Sequence, residues 1–490
     1  MSDTNFSGSV RTRFAPSPTG FMHVGNLRTA LYEYLIAKSK GGDFVLRIED
    51  TDQERLVPGA VEIILRTLQT AGLIHDEGPD VGGPYGPYVQ SERMDLYKPY
   101  AESLVKAGKA YYCFCSRERL DALRADGVIG YDRHCRDLDA ETVAELLAAG
   151  TPYVIRQKMP LSGHTTFSDR VYGDITVPNE ELEDQILIKT DGFPTYNFAN
   201  IIDDHLMRIT HVVRGSEYLS SAPKYNLLYE AFGWEIPEYV HLPLIQGRGE
   251  DGTVSKLSKR HGATGFEDLV REGYLPEAII NYIALLGWSP GETREIFSLS
   301  ELTEVFSVDG ISKSPAIFDY DKLAWFNGEY IKAMSDEEFL VHALPYFHDL
   351  LPESASAYSI MTEILKPRIN RFSEIPEKLA FLRELPDYDP SIYEHKKSKT
   401  TKESSLAVLP ELIRGISALT LWDKETLSAF FGDFTAEKEL KNSQVLWPVR
   451  IAISGTLVTP GGALEILLIL GKEESLRRLE SGRQRLQQSV

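Results

Sequence analysis

The stretch from Arg11 to Asn26 constrains this chain more than any other. Val10 to Phe14 can pair as a strand, but Pro16 and Pro18 prevent either a strand or a helix from continuing through them. After Asn26, Leu27, Leu31 and Leu35 fall on one face with Ala30, Tyr34 and Ala37 beside them, which predicts a helix ending near Lys40-Gly41-Gly42. Gly20 and Gly25 allow tight backbone geometry on either side of His23. The reading is strand, rigid loop, helix, with His23 near the helix N-terminus. Unpaired backbone N–H groups and the positive end of the helix dipole favour an anion there. An imidazole beside them can donate to a phosphate oxygen as charge builds on it. The plainer alternative is a loop histidine that caps the helix. Gly25 would let a flat ring come close to the backbone.

Asp43 to Glu49 reads as a short buried strand phased by Phe44, Leu46 and Ile48. Strand, helix, strand is the opening of a parallel α/β sheet. Glu49 ends the strand and Asp50 and Asp52 lie past its carboxyl end, where open α/β sheets place ligands, although carboxylates there also form solvated strand ends or helix caps. Ala60 to Leu73 and Met94 to Ala107 are helical patterns, separated by a loop over 76–88 too rich in Gly and Pro for regular structure. Strands follow at Tyr153–Arg156, Thr165–Phe167, Asp174–Val177, Asp184–Lys189 and Ile209–Gly215. Arg214, at the end of the last, can grip a carboxylate in a bidentate fork or sit in a surface ion pair. A polar loop, Gly247 to Gly252, runs into Lys256-Leu-Ser-Lys-Arg260. Two ammonium groups three residues apart on a mobile loop suit a lid over triphosphate, or a solvated basic turn. From Leu275 onward helices dominate. The stripes Leu412, Ile413, Ile416, Leu419 and Leu464, Leu467, Leu468 are core patterns, and the basic run Lys396–Lys399 and the arginine-rich tail read as solvated.

Cys113, Cys115 and Cys135 can supply three of four tetrahedral zinc positions; the alternative is reduced, partly buried thiols. Three cysteines in 490 residues argue against a disulfide framework and for a reducing compartment. That length implies two to four domains. No apolar run approaches the roughly 18 residues of a membrane span, and the polar start is unlike a signal peptide. A net charge of −20 is the wrong sign for a nucleic-acid binder, so any such contact must come from local basic grooves.

Phe14-Ala-Pro-Ser-Pro-Thr-Gly20 with His23-Val-Gly-Asn26 resembles the first signature of class I aminoacyl-tRNA synthetases, and the lead-in resembles the glutamyl-tRNA synthetase branch of bacterial type. Asn26 stands where the usual signature ends in histidine. Lys256–Arg260 resembles the second signature, Lys-Met-Ser-Lys-Ser. Arg47–Asp52, Gln90–Arg93, Pro194–Asn200, Val213–Glu217, Ala316–Gly328, and Trp447–Arg450 with Gly471-Lys472 are also similar to the family, and the likeness thins between about Ala333 and Lys441.

The resemblance implies an α/β enzyme with a Rossmann-type parallel sheet split by an α+β insertion and followed by an all-helical C-terminal half. The expected divisions are a first catalytic half over 1–90, an acceptor-stem insertion over 91–190 and a second catalytic half over 191–245. A lid and stem-contact region over 246–330 and an anticodon-binding region over 331–490 complete it. The implied catalytic residues are His23, Lys256 and Lys259. ATP would lie against His23, Gly25, Asn26, Leu244 and Lys259. Glutamate would lie against Arg13, Ala15, Ser17, Glu49, Tyr196, Asn200 and Arg214. The activity implied is ATP-dependent attachment of glutamate to tRNA(Glu) by a cytoplasmic monomer, with Mg2+ accompanying ATP and Zn2+ at Cys113, Cys115 and Cys135, where Asp137, at the spacing of the family's Cys-x-His pair, or neighbouring His134 would be the fourth ligand. Charging of tRNA(Gln) as well, glutaminylation, a non-catalytic RNA-binding relative and a small-molecule adenylate-forming ligase are the alternatives.

Overall fold

The computed structural model describes residues 9–51, 56–127, 130–249, 251–258, 261–352 and 354–489. Asp52 and Lys259, both singled out above, lie outside the described residues. The chain divides into one unit of residues 1–270 and 279–319 and another of residues 271–278 and 320–490.

The first unit begins with β1 (Arg11–Phe14), α1 (Val24–Ser39) and β2 (Asp43–Leu46). β1 and β2 pair in parallel, with Arg13 opposite Val45 and Phe14 opposite Leu46. The leucine stripe of α1 is buried, as its spacing predicts, but so is most of the rest of the helix, including Arg28 and Glu33. The reason is tertiary: on the side away from the sheet, Tyr32 packs on Phe306 and its hydroxyl donates to the carbonyl of Ala284 at 3.0 Å.

α2 (Ala60–Thr70) and α3 (Met94–Lys106) lead to β3 (Ala110–Cys113), β4 (Val154–Gln157), β5 (His164–Asp169), β6 (Gly173–Pro178) and β7 (Ile186–Ile188). β3, β4 and β7 form an antiparallel sheet. β5 alternates with period two, Thr165, Phe167 and Asp169 inward, and pairs antiparallel with β6. α4 (Tyr196–Leu206), β8 (His211–Gly215), α5 (Ala222–Phe232) and β9 (Glu238–Leu242) follow. The helix α4 occupies a stretch that carries no clear helical pattern, because its inward residues include the polar Asn200, Asp203 and Asp204.

β8 and β9 are parallel, and β9 also meets β5, giving the order β6-β5-β9-β8. β1 lies alongside the start of β8: the Arg11 carbonyl accepts from the Thr210 N–H at 2.9 Å, and the Arg11 N–H donates to Thr210 Oγ1 at 2.8 Å. Strands some 200 residues apart are thereby neighbours, with the intervening chain inserted between them. The carboxyl ends of β1, β8 and β9 carry Arg13, Arg214 and the turn that follows Leu242, the position where such sheets hold ligands. The chain continues into β10 (Ile245–Arg248) and its antiparallel partner β11 (Val254–Lys256). β10 pairs in parallel with β12 (Ala316–Phe318), a short strand within the stretch that reads as helical.

The second unit is helical from Tyr320–Ala333 through Ala463–Ser489. Its core includes Phe339, Phe347 and Leu409; of the predicted stripes Leu412, Ile416 and Leu467 are buried in it, and Ile413, Leu419, Leu464 and Leu468 pack against it partly buried. Leu275 and Ala278 join that core, and the Leu275 N–H donates to Asn327 Oδ1 at 2.7 Å. Arg478 departs from the reading of a solvated basic tail. It is 1% exposed, and its Nη1 donates to the carbonyls of Phe381 and Ile453 at 2.6 and 3.0 Å. It thereby satisfies main-chain acceptors that would otherwise be buried without a donor. Among the described residues no helix is long and apolar enough to cross a membrane.

Candidate active site

The loop between β1 and α1 is clamped from two sides. The carbonyls of Phe14 and Pro16 accept from the N–H groups of Arg47 and Glu49 at 2.9 and 3.0 Å, and the Val24 N–H donates to the Thr264 carbonyl at 2.9 Å. Gly20 carries φ +129°, a conformation that side chains disfavour. Gly25 is different, since it lies in the first turn of α1 with ordinary helical geometry. A Cβ there would meet only His23 Nδ1, at 3.4 Å, so its small size leaves open space rather than permitting a turn.

His23 is the N-cap of α1, and its Nδ1 accepts from the Gly25 N–H at 3.1 Å. The cap and the phosphate donor, alternatives on sequence, are therefore compatible. Because Nδ1 accepts, the ring proton sits on Nε2, which is left to donate. Burial, helped by the charge of Lys256, holds the imidazole below its ordinary pKa and so keeps it neutral.

A cavity of about 430 Å³ opens at the carboxyl ends of the strands, within the usual size of ligand pockets. Arg13, Ala15, Ser17, His23, Gly25, Asn26, Glu49, Tyr196, Arg214, Leu244 and Lys256 all line it. Asn200 is not on its wall; its amide donates to the Tyr196 carbonyl at 2.9 Å, one turn along α4. Thr19, Arg28, Glu33, Glu217 and Tyr218 line it too and were not singled out by sequence. Arg28 and Glu33 are hidden there because α1 reads as a simple leucine stripe, although two charged residues among its apolar positions were a usable signal.

The floor of the cavity is a buried charge network. Arg13 donates from Nε to Asp204 at 2.9 Å and from Nη1 to Glu33 at 3.2 Å. Arg47 donates from Nη1 to the same Asp204 oxygen at 2.7 Å and from Nη2 to Glu49 at 2.8 Å. Burial works against the charge of Asp204, but Arg13 and Arg47 outweigh it and hold the carboxyl below its usual range. Burial pushes Glu33 and Glu49 upward, with Arg13 and Arg47 respectively pulling them back. Both arginines are thus fixed by carboxylates beneath them, and among the described residues Arg13 Nη2 has no acceptor. Arg214 is 6% exposed, and its Nη2 is buried without a partner. An acidic side chain entering here would meet guanidinium nitrogens with unused donors, and an ammonium would meet Glu49.

Residues 9–325 match the model of tRNA synthetases class I (E and Q), catalytic domain, and residues 338–483 match an anticodon binding domain. A glutamate–tRNA ligase of Clostridium novyi (strain NT) is 57% identical over 485 residues, covering 98% of this chain and 99% of the relative. The chain belongs to the glutamate–tRNA ligase family of class I aminoacyl-tRNA synthetases. A second family member, from Clostridium botulinum (strain Hall), is 57% identical over 481 residues, covering 97% and 98%. The solved glutamate tRNA ligase of Elizabethkingia meningosepticum in complex with its amino acid is similar at a TM-score of 0.89, 38% identity and coverage of 97% and 99%. That of Elizabethkingia anophelis is similar at 0.88 and 38%, covering 97% and 100%.

The thiols of this family member lie apart from the cavity. The sulfurs of Cys113, Cys115 and Cys135 all lie within 4.8 Å of one another, and Cys115 and Cys135 are 3.6 Å apart. Asp137 does not join them. Its carboxylate is 82% exposed and pairs with Lys158 at 3.3 Å, and His134 is exposed as well. The hydroxyl of Tyr131 faces the sulfurs, 3.2 Å from Cys113 Sγ and 3.6 Å from Cys115 Sγ, and Arg119 Nη1 donates to Cys115 Sγ at 3.5 Å. The Tyr131 ring is held by Arg156, whose Cζ lies 3.9 Å from the centroid.

Proposed function

We infer that this protein attaches glutamate to tRNA at the expense of ATP, in two steps within the cavity described. The observation that carries the reading is the pairing of two buried arginines, each with an unused Nη2, with a neutral histidine at a helix N-terminus in one pocket. We assign glutamate to the floor: Arg13 and Arg214 take its carboxylates, Tyr196 and Ser17 border it, and Glu49 takes the ammonium. Glutamine would bring an amide N–H2 against a guanidinium and lose a charge-assisted bond worth about 1.5–3 kcal/mol. ATP lies over the His23 loop, with Gly25 leaving room for the flat ring and Asn26 and Leu244 flanking it.

In the first step a glutamate α-carboxylate oxygen attacks the α-phosphorus. The bond to the bridging oxygen breaks, and pyrophosphate leaves with its electron pair. His23 donates from Nε2 to a phosphate oxygen as charge grows, an effect of roughly 10²–10³ for one such donor. Lys256, at the cavity's edge, balances the triphosphate; Lys259 carries the same role in this proposal and lies outside the described residues. In the second step the 2′-hydroxyl of the terminal adenosine attacks the glutamyl carbonyl and AMP leaves. No covalent bond to the enzyme forms, so the chain contributes position and charge. Among the described residues the thiols are the one gathering of three or more His, Cys, Asp or Glu ligands; magnesium would come with the phosphates of ATP.

The thiols fit zinc: three sulfurs and a phenolic oxygen face one point, and zinc there would tie the Cys113 strand to the Cys135 loop. We propose Tyr131 as the fourth ligand, in place of Asp137. Residues 91–190 are proposed to hold the acceptor stem and 331–490 the anticodon, in a cytoplasmic monomer. The test is charging of total tRNA with labelled glutamate, followed by sequencing of the charged species. Label in tRNA(Glu), with release of AMP and pyrophosphate, is expected; label in tRNA(Gln) as well would mean a broader tRNA range. Absence of both label and ATP–pyrophosphate exchange in the presence of tRNA would overturn the reading.

A further inference from the structure

We infer that Asp169 and His241, a buried pair behind the cavity wall, are positioning residues that aim Arg214 at the substrate and keep its charge free for it. The inference rests on Arg214 as a glutamate ligand.

Asp169 closes β5, and its side chain is completely buried. Oδ1 accepts from the N–H groups of Val171 and Tyr172 at 2.9 and 2.8 Å, and Oδ2 accepts from the N–H of His241 at 3.0 Å. Three main-chain donors thus fix an acceptor-only carboxylate. His241 Nδ1 lies 2.7 Å from Oδ2 and must be the protonated ring nitrogen. Nε2 then carries a lone pair, which accepts from Arg214 Nε at 3.1 Å. Burial lowers the pKa of His241 while the bond to Asp169 opposes it, and the neutral ring is the form this chain of bonds requires.

The contrast with the two arginines of the floor network shows what the arrangement accomplishes. Arg13 and Arg47 each meet carboxylates directly. Arg214 meets a neutral ring, and the fixed negative charge stands one imidazole further away. Its guanidinium is held at Nε, while Nη2 stays buried and unpartnered, with the rings of Tyr225 and Tyr239 4.5 and 5.3 Å from Cζ. A carboxylate touching Arg214 would satisfy that nitrogen and compete with substrate. A neutral acceptor orients the arginine without doing so.

The test measures KM for glutamate and for ATP in aminoacylation of tRNA(Glu) by the full chain. His241→Phe keeps the ring volume and removes the acceptor. It should raise glutamate KM roughly tenfold or more, the loss of one hydrogen bond to a charged group, with ATP KM within about twofold. His241→Gln, whose amide oxygen can reach the place of Nε2, should recover most of that loss. Equal rises in both KM values, or no advantage of Gln over Phe, would overturn the inference in favour of simple packing. Arg214→Leu separates the two levels. If it raises glutamate KM while His241→Phe does not, the inference alone fails; if it leaves glutamate KM unchanged, the assignment of Arg214 fails first. Should His241→Phe fail to fold in a thermal melt, Asp169→Asn decides. Its amide N–H2 can turn toward Nδ1 and force the proton to Nε2, so an unchanged glutamate KM in that variant would reject the proposal.

Discussion

His23 stays neutral because burial and the neighbouring Lys256 both oppose a second positive charge. The sign of a change at Lys256 follows. Lys256→Ala removes a like charge, so the His23 pKa should rise toward the ordinary value of about 6.5. Titration of the ring carbons in histidine-labelled protein would show this; a His23 pKa that falls or stays fixed in Lys256→Ala would contradict the electrostatic account. At the thiols the proposed fourth ligand is a single hydroxyl. Protein purified without chelators should carry about one equivalent of zinc by elemental analysis. Tyr131→Phe should lose the metal more readily than wild type on chelator challenge, whereas Asp137→Ala, at an exposed carboxylate, should not. Metal-free wild-type protein would remove both the zinc and the tyrosine.

The hairpin of β10 and β11 shows how an element can depend on one missing side chain. Gly247 faces His261, and a Cβ there would lie 2.6 Å from the ring's Cγ. That ring in turn ties down the chain on both sides of Lys256: its Nδ1 accepts from the Ser258 N–H at 3.1 Å, and its Nε2 lies 3.3 Å from Ser255 Oγ. Gly247→Ala should push the imidazole aside and release the basic segment from the cavity's edge. Since small misplacements at a reacting centre are costly, kcat should fall by about tenfold or more, while the thermal midpoint of the second unit stays where it was. Full activity in Gly247→Ala would show that His261 does not position the segment.

On the scale of the whole molecule, a net charge of −20 coexists with membership of a tRNA-charging family. Screening offers a reconciliation: the Debye length is about 10 Å at 0.1 M salt, so carboxylates farther than that from a bound phosphate are hardly felt there. Local phosphate contacts should therefore govern salt dependence. Raising salt from about 50 to 200 mM should weaken tRNA binding by on the order of tenfold or more, with little change in glutamate KM. Filter binding across that range is the measurement, and affinity that is flat or rises with salt would point to long-range repulsion as the controlling term.

The sequence by itself determined the local parts: the strand, proline loop and capped helix from Arg11 to Ser39, the leucine stripes of the second unit, and the family that these motifs resemble. Each is written in neighbouring residues, through backbone restriction and helical period, and so can be read without knowing what lies across from it. Only the tertiary structure decided the charge pattern of the cavity. Asp204 comes 191 residues after Arg13 and 157 after Arg47 to pin both, and Asp169 comes 72 residues before His241. No local pattern encodes such pairings, because burial becomes tolerable only once the partner has arrived. The same holds for Asp137 and Tyr131: spacing favoured the carboxylate, but the folded loop turns it to solvent and lays the tyrosine hydroxyl against the sulfurs.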